Sequence, residues 1–277
     1  MSIMAKWRAW LFVLGILIAV IGANLVDYYW PLFLTSGSFA VDINVAKMAL
    51  AVLLMVTSSV LFKVHLSFKW RSLWWALLLG LPILSIYVVG YLRPSLAMLP
   101  DIWLFQNFRP LIPASILHTM MTAFSEEVVF HGVLFGVIYR IFTNSRWPLW
   151  QTVIVTNGLF ALTHLTNAFG QRGALFPAIY NVLFVFGWSV AITIVMIIGR
   201  SLWAPIIIHF LTDIVPLTLA YAYPGDGSPT PDYPFNPDHF FQSVALMAVF
   251  LVLAVVYGVI WGWWRKRHQQ VEEIYPF

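Results

Sequence analysis

Two adjacent carboxylates, Glu126 and Glu127, lie inside the apolar run Phe124-Ser125-Glu126-Glu127-Val128-Val129-Phe130-His131-Gly132. The other glutamates, Glu272 and Glu273, stand at the far end of the sequence. An ionised side chain at the centre of a bilayer costs on the order of 3 kcal/mol or more, so such a pair points to function. Later apolar runs carry His164, Asn181, and the pair His209 and Asp213. His209 and Asp213 are spaced i,i+4 and share a helix face, as do Glu127 and His131. Glu126 sits about 100° around a helix from Glu127, which leaves one acid for a reaction centre and the other for a structural partner. Acids and imidazoles converging in a low-dielectric bundle support two chemistries. One is general-base activation of water by a glutamate, with imidazoles orienting the water and stabilising an oxyanion. The other is metal-assisted hydrolysis, with Glu126, His164 and His209 as ligands of a divalent ion such as zinc. Spacing alone leaves both open.

The elements that must position these groups are membrane helices. The sequence is 61% hydrophobic and 9% charged, with a mean hydropathy of +0.85, whereas a soluble domain carries about 25% charged residues. There is no cysteine, which excludes disulfides and thiolate chemistry. Apolar runs occur at Trp10 to Trp30, Ile43 to Phe62, Leu73 to Tyr91, Leu111 to Phe142, Leu149 to Leu165, Phe176 to Ile198, Leu202 to Tyr221 and Phe240 to Trp264. Loops rich in proline, glycine and polar residues separate them at Pro31 to Ser38, Arg93 to Pro113 and Tyr223 to Asp238. The expectation is an all-α, polytopic transmembrane helix bundle of about eight spans. Residues 1–277 are read as a single integral-membrane domain, with a motif-bearing core at approximately 111–222. The first run is too long, and lacks the small-x-small site, for a cleaved signal peptide.

Charge gives the orientation. With both termini cytoplasmic, Lys6, Arg8, Lys63, Lys69, Arg71, Arg140, Arg146, Arg200, Arg265, Lys266 and Arg267 face the cytoplasm. Lys47, Arg93, Arg109 and Arg172 fall on the other side. That split satisfies the positive-inside rule, and a register shift of one span would reverse it. Basic residues placed this way are topology anchors and not a nucleic-acid footprint. No internal repeat supports a transporter built on inverted halves.

In order along the sequence stand Glu126-Glu127-x-x-x-His131, Phe160-x-x-x-His164 and His209-x-x-x-Asp213, with Phe184-x-x-Gly187 between the last two. This ordered set resembles the CAAX-protease and bacteriocin-processing (Abi, CPBP) intramembrane proteases, relatives of the prenyl-protein endopeptidase. The resemblance implies that Glu126 activates the hydrolytic water and His164 helps hold it. His209 and Asp213 would stabilise the oxyanion, and Glu127 would be positional, held by the last residue of its motif. Asn181 joins the set as a supporting residue. Members have been described both as metalloproteases and as metal-free glutamate enzymes; the glutamate mechanism is the favoured one here. His131 stands where the family has arginine, and a histidine pairs with a carboxylate through a single titratable donor.

The resulting expectation is an endopeptidase acting on a membrane-anchored or hydrophobic peptide of CAAX or leader type, in a prokaryotic cytoplasmic membrane. Its partners are that substrate and the lipid bilayer, with no nucleic acid. The alternative is a catalytically altered member that serves as a membrane immunity or regulatory binding protein, and His131 is its best support. A third reading is a proton relay through Glu126, Glu127 and Asp213. Among the remaining histidines, His118 reads as interfacial, and His65, His239 and His268 as solvated.

Overall fold

Lipid offers no hydrogen bonds to the backbone, so long apolar runs without turn residues must satisfy their own N–H and C=O groups as helices. The computed structural model describes residues 3–29, 39–70, 73–92, 111–170, 175–222 and 235–268. Each of the eight apolar runs coincides with a helix. These are α1 (Ile3–Tyr29), α2 (Phe39–Phe62), α3 (Leu73–Tyr87, ending in a π turn at Val88–Leu92), α4, α5 (Pro148–Thr163), α6 (Leu175–Gly199), α7 (Trp203–Ala222) and α8 (Pro237–His268). Helix α4 is composite: α-helical over Leu111–Glu127, π-helical over Val128–Leu134 and α-helical again over Phe135–Phe142. Among the described residues the only β pairing is one isolated bridge between Phe68 and Ser201. The loops expected at Pro31 to Ser38 and around Arg93 and Arg109 lie outside the described residues. So do Arg71, Arg172 and most of the loop before α8.

Six helices among the described residues are long and apolar enough to cross a membrane. The two motif helices α5 and α7 are not in that set: α5 has 16 residues, and the apolar stretch of α7 is Trp203–Pro216. Sixteen residues rise about 24 Å, short of the roughly 30 Å hydrocarbon core. Both helices sit against other protein, so neither must span lipid alone. Inner and outer helices separate clearly. The spans of α4 and α6 are 83% and 78% buried, whereas those of α1, α2, α3 and α8 are between 11% and 28% buried. The outer four present their Leu, Val and Trp side chains outward, as lipid-facing surfaces do.

Contacts between loops define two ends of the bundle. At one end Arg140 donates to Lys63 O (2.7 Å) and Ser67 to Arg200 O (2.9 Å). The N–H of Leu202 bonds Ser67 O there (2.8 Å), and the rings of Trp70 and Trp203 stack at 4.7 Å. Lys63 and Arg200 take left-handed backbone conformations (φ 53° and 50°) just past α2 and α6, the usual way to stop a helix. At the other end the N–H of Asn236 bonds the Tyr180 hydroxyl (2.7 Å), and Gln242 donates to Gly90 O (2.7 Å).

Two local devices hold the inner helices. At Gly187 a Cβ would lie 2.6 Å from the Cα of Met247, so glycine lets the α6 and α8 backbones approach closely. Pro216 has no N–H, which leaves the carbonyl of Thr212 without its helical partner; the Tyr87 hydroxyl donates to that oxygen at 2.7 Å. The variant Gly187→Ala should lose stability by more than about 1 kcal/mol, because backbone must move. Tyr87→Phe should lose about 1–3 kcal/mol by orphaning the Thr212 carbonyl. Both are read by thermal denaturation of the purified protein in detergent.

Candidate active site

Helix α4 passes through the centre of the bundle and delivers both carboxylates. Glu127 is fully buried, and its two oxygens meet two imidazoles from different helices. His209 of α7 donates from Nδ1 to Oε1 at 2.6 Å. His131, one turn along α4, brings its Nδ1 to 2.5 Å from Oε2. That contact is off the line of a well-aligned hydrogen bond, and neither atom has another hydrogen-bond partner among the described residues. The π-helical segment begins directly after Glu127. Such wide turns redirect side chains and recur at functional sites.

The far side of His131 shows where its proton is. Asn157 of α5 donates from Nδ2 to Val153 O (2.7 Å), so its amide oxygen faces His131 Nε2 at 3.0 Å. A carbonyl oxygen can only accept, so Nε2 carries a hydrogen. Thr193 of α6 lies 3.0 Å from the same oxygen and 2.7 Å from Ser189 O, sharing one hydroxyl hydrogen between them. With Nε2 protonated, a second proton must lie between Nδ1 and Glu127 for their close approach to be attractive. The pair is then an imidazolium facing a carboxylate, or a neutral ring accepting from an acid. Either form lets His131 hold Glu127 from the position where the family has arginine.

Glu126 points elsewhere. Its side chain is 25% exposed, and Oε2 lies 3.9 Å from His209 Nε2. No hydrogen bond to its carboxylate is found among the described residues. Asp213 places Oδ2 at 3.2 Å from the same Nε2. His209 is therefore held from both sides, by Glu127 at Nδ1 and by Asp213 at Nε2. His164 donates from Nδ1 to Phe160 O at 3.2 Å, which leaves its Nε2 lone pair free to accept. The Phe160 ring stands edge-on to His131, His164 and His209 at centroid distances of 5.8, 5.1 and 6.3 Å. Trp188 packs against His209 at 5.0 Å.

Glu126, His164, Asn181, His209 and Asp213 all line one cavity of about 570 Å³. Glu127 and His131 lie behind its wall. The sequence reading missed several lining groups. His118 lines this cavity, half-buried, with Nδ1 2.5 Å from Asn44 Nδ2, an inward contact that its reading as interfacial did not include. The spacing His118, Thr122, Glu126 put it on the catalytic face of α4. Lys47 and Asn24 also line the cavity, and nothing in their local sequence signalled it. Asn157 was likewise missed, although Asn157, Phe160 and His164 fall on one face of α5.

The donor set suggested for a metal does not assemble here. Among the described residues no group of three or more His, Asp or Glu side chains has metal-holding geometry. The Nε2 that His209 would offer already faces Asp213.

Acids and imidazoles brought together around a cavity in an all-α membrane bundle are groups suited to hydrolysis at membrane depth. Residues 102–215 match the family model described as type II CAAX prenyl endopeptidase Rce1-like, so this segment of the chain is similar to that family of membrane proteases. The match runs across α4 to α7 and so takes in every site motif. Comparison with curated proteins and with solved structures returns no match.

Because Glu127 is buried between two imidazoles, removing its charge strands both. Glu127→Gln and His131→Ala should each cost about 3–5 kcal/mol of stability, as for other broken buried pairs. Both should also cut activity, and thermal denaturation beside a cleavage assay reads the two effects.

Proposed function

We propose that this protein is a glutamate-dependent intramembrane endopeptidase. Its substrate is a membrane-anchored or hydrophobic peptide of CAAX or leader type. The observation carrying the reading is Glu126, an otherwise unbonded carboxylate on the cavity wall, 3.9 Å from a histidine fixed at both nitrogens.

In this mechanism a water held between Glu126 and the Nε2 lone pair of His164 gives its proton to Glu126. The hydroxide forms a bond to the scissile carbonyl carbon. The carbonyl oxygen becomes an oxyanion and accepts a hydrogen bond from His209 Nε2, with Asp213 yielding its place on that nitrogen. The C–N bond then breaks, and the proton on Glu126 passes to the departing amine. Positioned general-base catalysis contributes about 10²–10⁴-fold, and an oxyanion donor a further 10²–10³-fold or so. Glu127 and His131 act by fixing His209, and Asn181 lines the substrate's path.

Glu126→Gln keeps the shape and removes the base. It should lower kcat by about 10²-fold or more while the melting temperature of the purified protein stays unchanged. A binding protein without chemistry would tolerate this substitution in a partner-capture assay. Cleavage at the parental rate by purified Glu126→Gln would refute the proposal.

A further inference from the structure

The cavity occupies one end of the bundle, and all but one of the described lysines and arginines occupy the other. Along α4, Glu126 is about 16 Å from Ser115 and about 24 Å from Phe142 at 1.5 Å per residue. The other lining residues alternate in step with chain direction. They fall late in α1, α3 and α5 (Asn24, Tyr87, Thr163) and early in α2, α4 and α6 (Lys47, His118, Asn181). Those are the helix ends joined by the contacts of Tyr180 with Asn236 and of Gln242 with Gly90.

The basic residues alternate in the opposite phase. Lys6 and Arg8 start α1, Lys63 and Lys69 follow α2, and Arg140 and Arg146 close α4 and precede α5. Arg200 lies between α6 and α7, and Arg265 to Arg267 end α8. The Arg140–Lys63 and Ser67–Arg200 hydrogen bonds tie these segments together. Among the described residues, Lys47 is the one lysine or arginine toward the cavity end, and it lines the cavity itself. Lysine and arginine near span ends set orientation by staying in the cytoplasm.

We infer that the cavity opens on the extracytoplasmic side of the membrane. The segment this protein cleaves is therefore an exported one, the translocated part of a hydrophobic or membrane-anchored peptide. A cytosolic C-terminal tail could not enter. Reading the cavity as a cleavage site rests on the function proposed above; its orientation does not.

The sequence has no cysteine, so single thiols report their surroundings without background. Asp238→Cys marks the cavity end and His65→Cys the basic end, both at exposed positions, and Asn24→Cys marks the cavity wall. Each is expressed in bacterial cells and treated with a membrane-impermeant maleimide. Asp238→Cys and Asn24→Cys should react in intact cells, and His65→Cys only after permeabilisation. The reverse pattern would overturn the inference. So would an Asn24 thiol that stays unreactive from outside while the Asp238 thiol labels. The same labelling in a Glu126→Gln background needs no cleavage, so it separates a wrong orientation from a wrong assignment of the chemistry.

Discussion

A carboxylate sealed from water inside a membrane bundle must be met on every side, and Glu127 is met by two imidazoles from two helices. That clamp joins α4 to α7 directly and, through His131, Asn157 and Thr193, ties α4 to α5 and α6. Partners at this depth are not optional, because an unpaired ion in a low-dielectric interior is far more costly than one at a surface. The four helices that carry the motifs are therefore locked in mutual register by the same group that orients His209. Stability and site geometry depend on one set of contacts.

Rigid, water-poor surroundings complete the arrangement. Phe160 gives three imidazoles a common apolar wall, and its own carbonyl sets the tautomer of His164. Pro216 interrupts the hydrogen-bonding of α7 one turn beyond His209 and Thr212, and Tyr87 from α3 caps the freed carbonyl. Two successive acids at the end of the first α-helical part of α4 have different surroundings. One is enclosed by protein and the other faces the cavity, although both approach the same ring.

The eight helices were legible because hydropathy runs, proline-rich loops and basic clusters all mark the same boundaries. Glu126, His164, His209 and Asp213 were legible for a different reason: polar groups in lipid are expensive, so each one stands out. The different surroundings of the two acids also followed from the helical angle between them. Asn157 escaped notice because asparagine is a milder intrusion than a charge, although its spacing from Phe160 and His164 placed it on the right face. Lys47, near the start of the second apolar run, was read only as a charge on the non-cytoplasmic side, since a lysine near a span end normally snorkels outward. Only the packing of α1 and α2 against α4 turns it inward. Whether the shorter α5 and α7 cross the bilayer unaided is a tertiary question that hydropathy alone does not answer.

Beyond the polar cluster, toward the basic loops, the buried side chains of α4 and α7 are mostly aliphatic and aromatic. Between His131 and Arg140 on α4, and between Arg200 and His209 on the next turn of chain into α7, there is no acid, histidine, lysine or arginine. Val133, Leu134, Phe135, Val137, Ile138, Ile206 and Ile208 fill that level without exposure. None of these side chains lines the cavity, and on this side of the site α4 and α7 meet as packed hydrocarbon. Along these two stretches a proton would meet no ionisable side chain, and packed hydrocarbon is what makes a membrane interior costly for ions to cross.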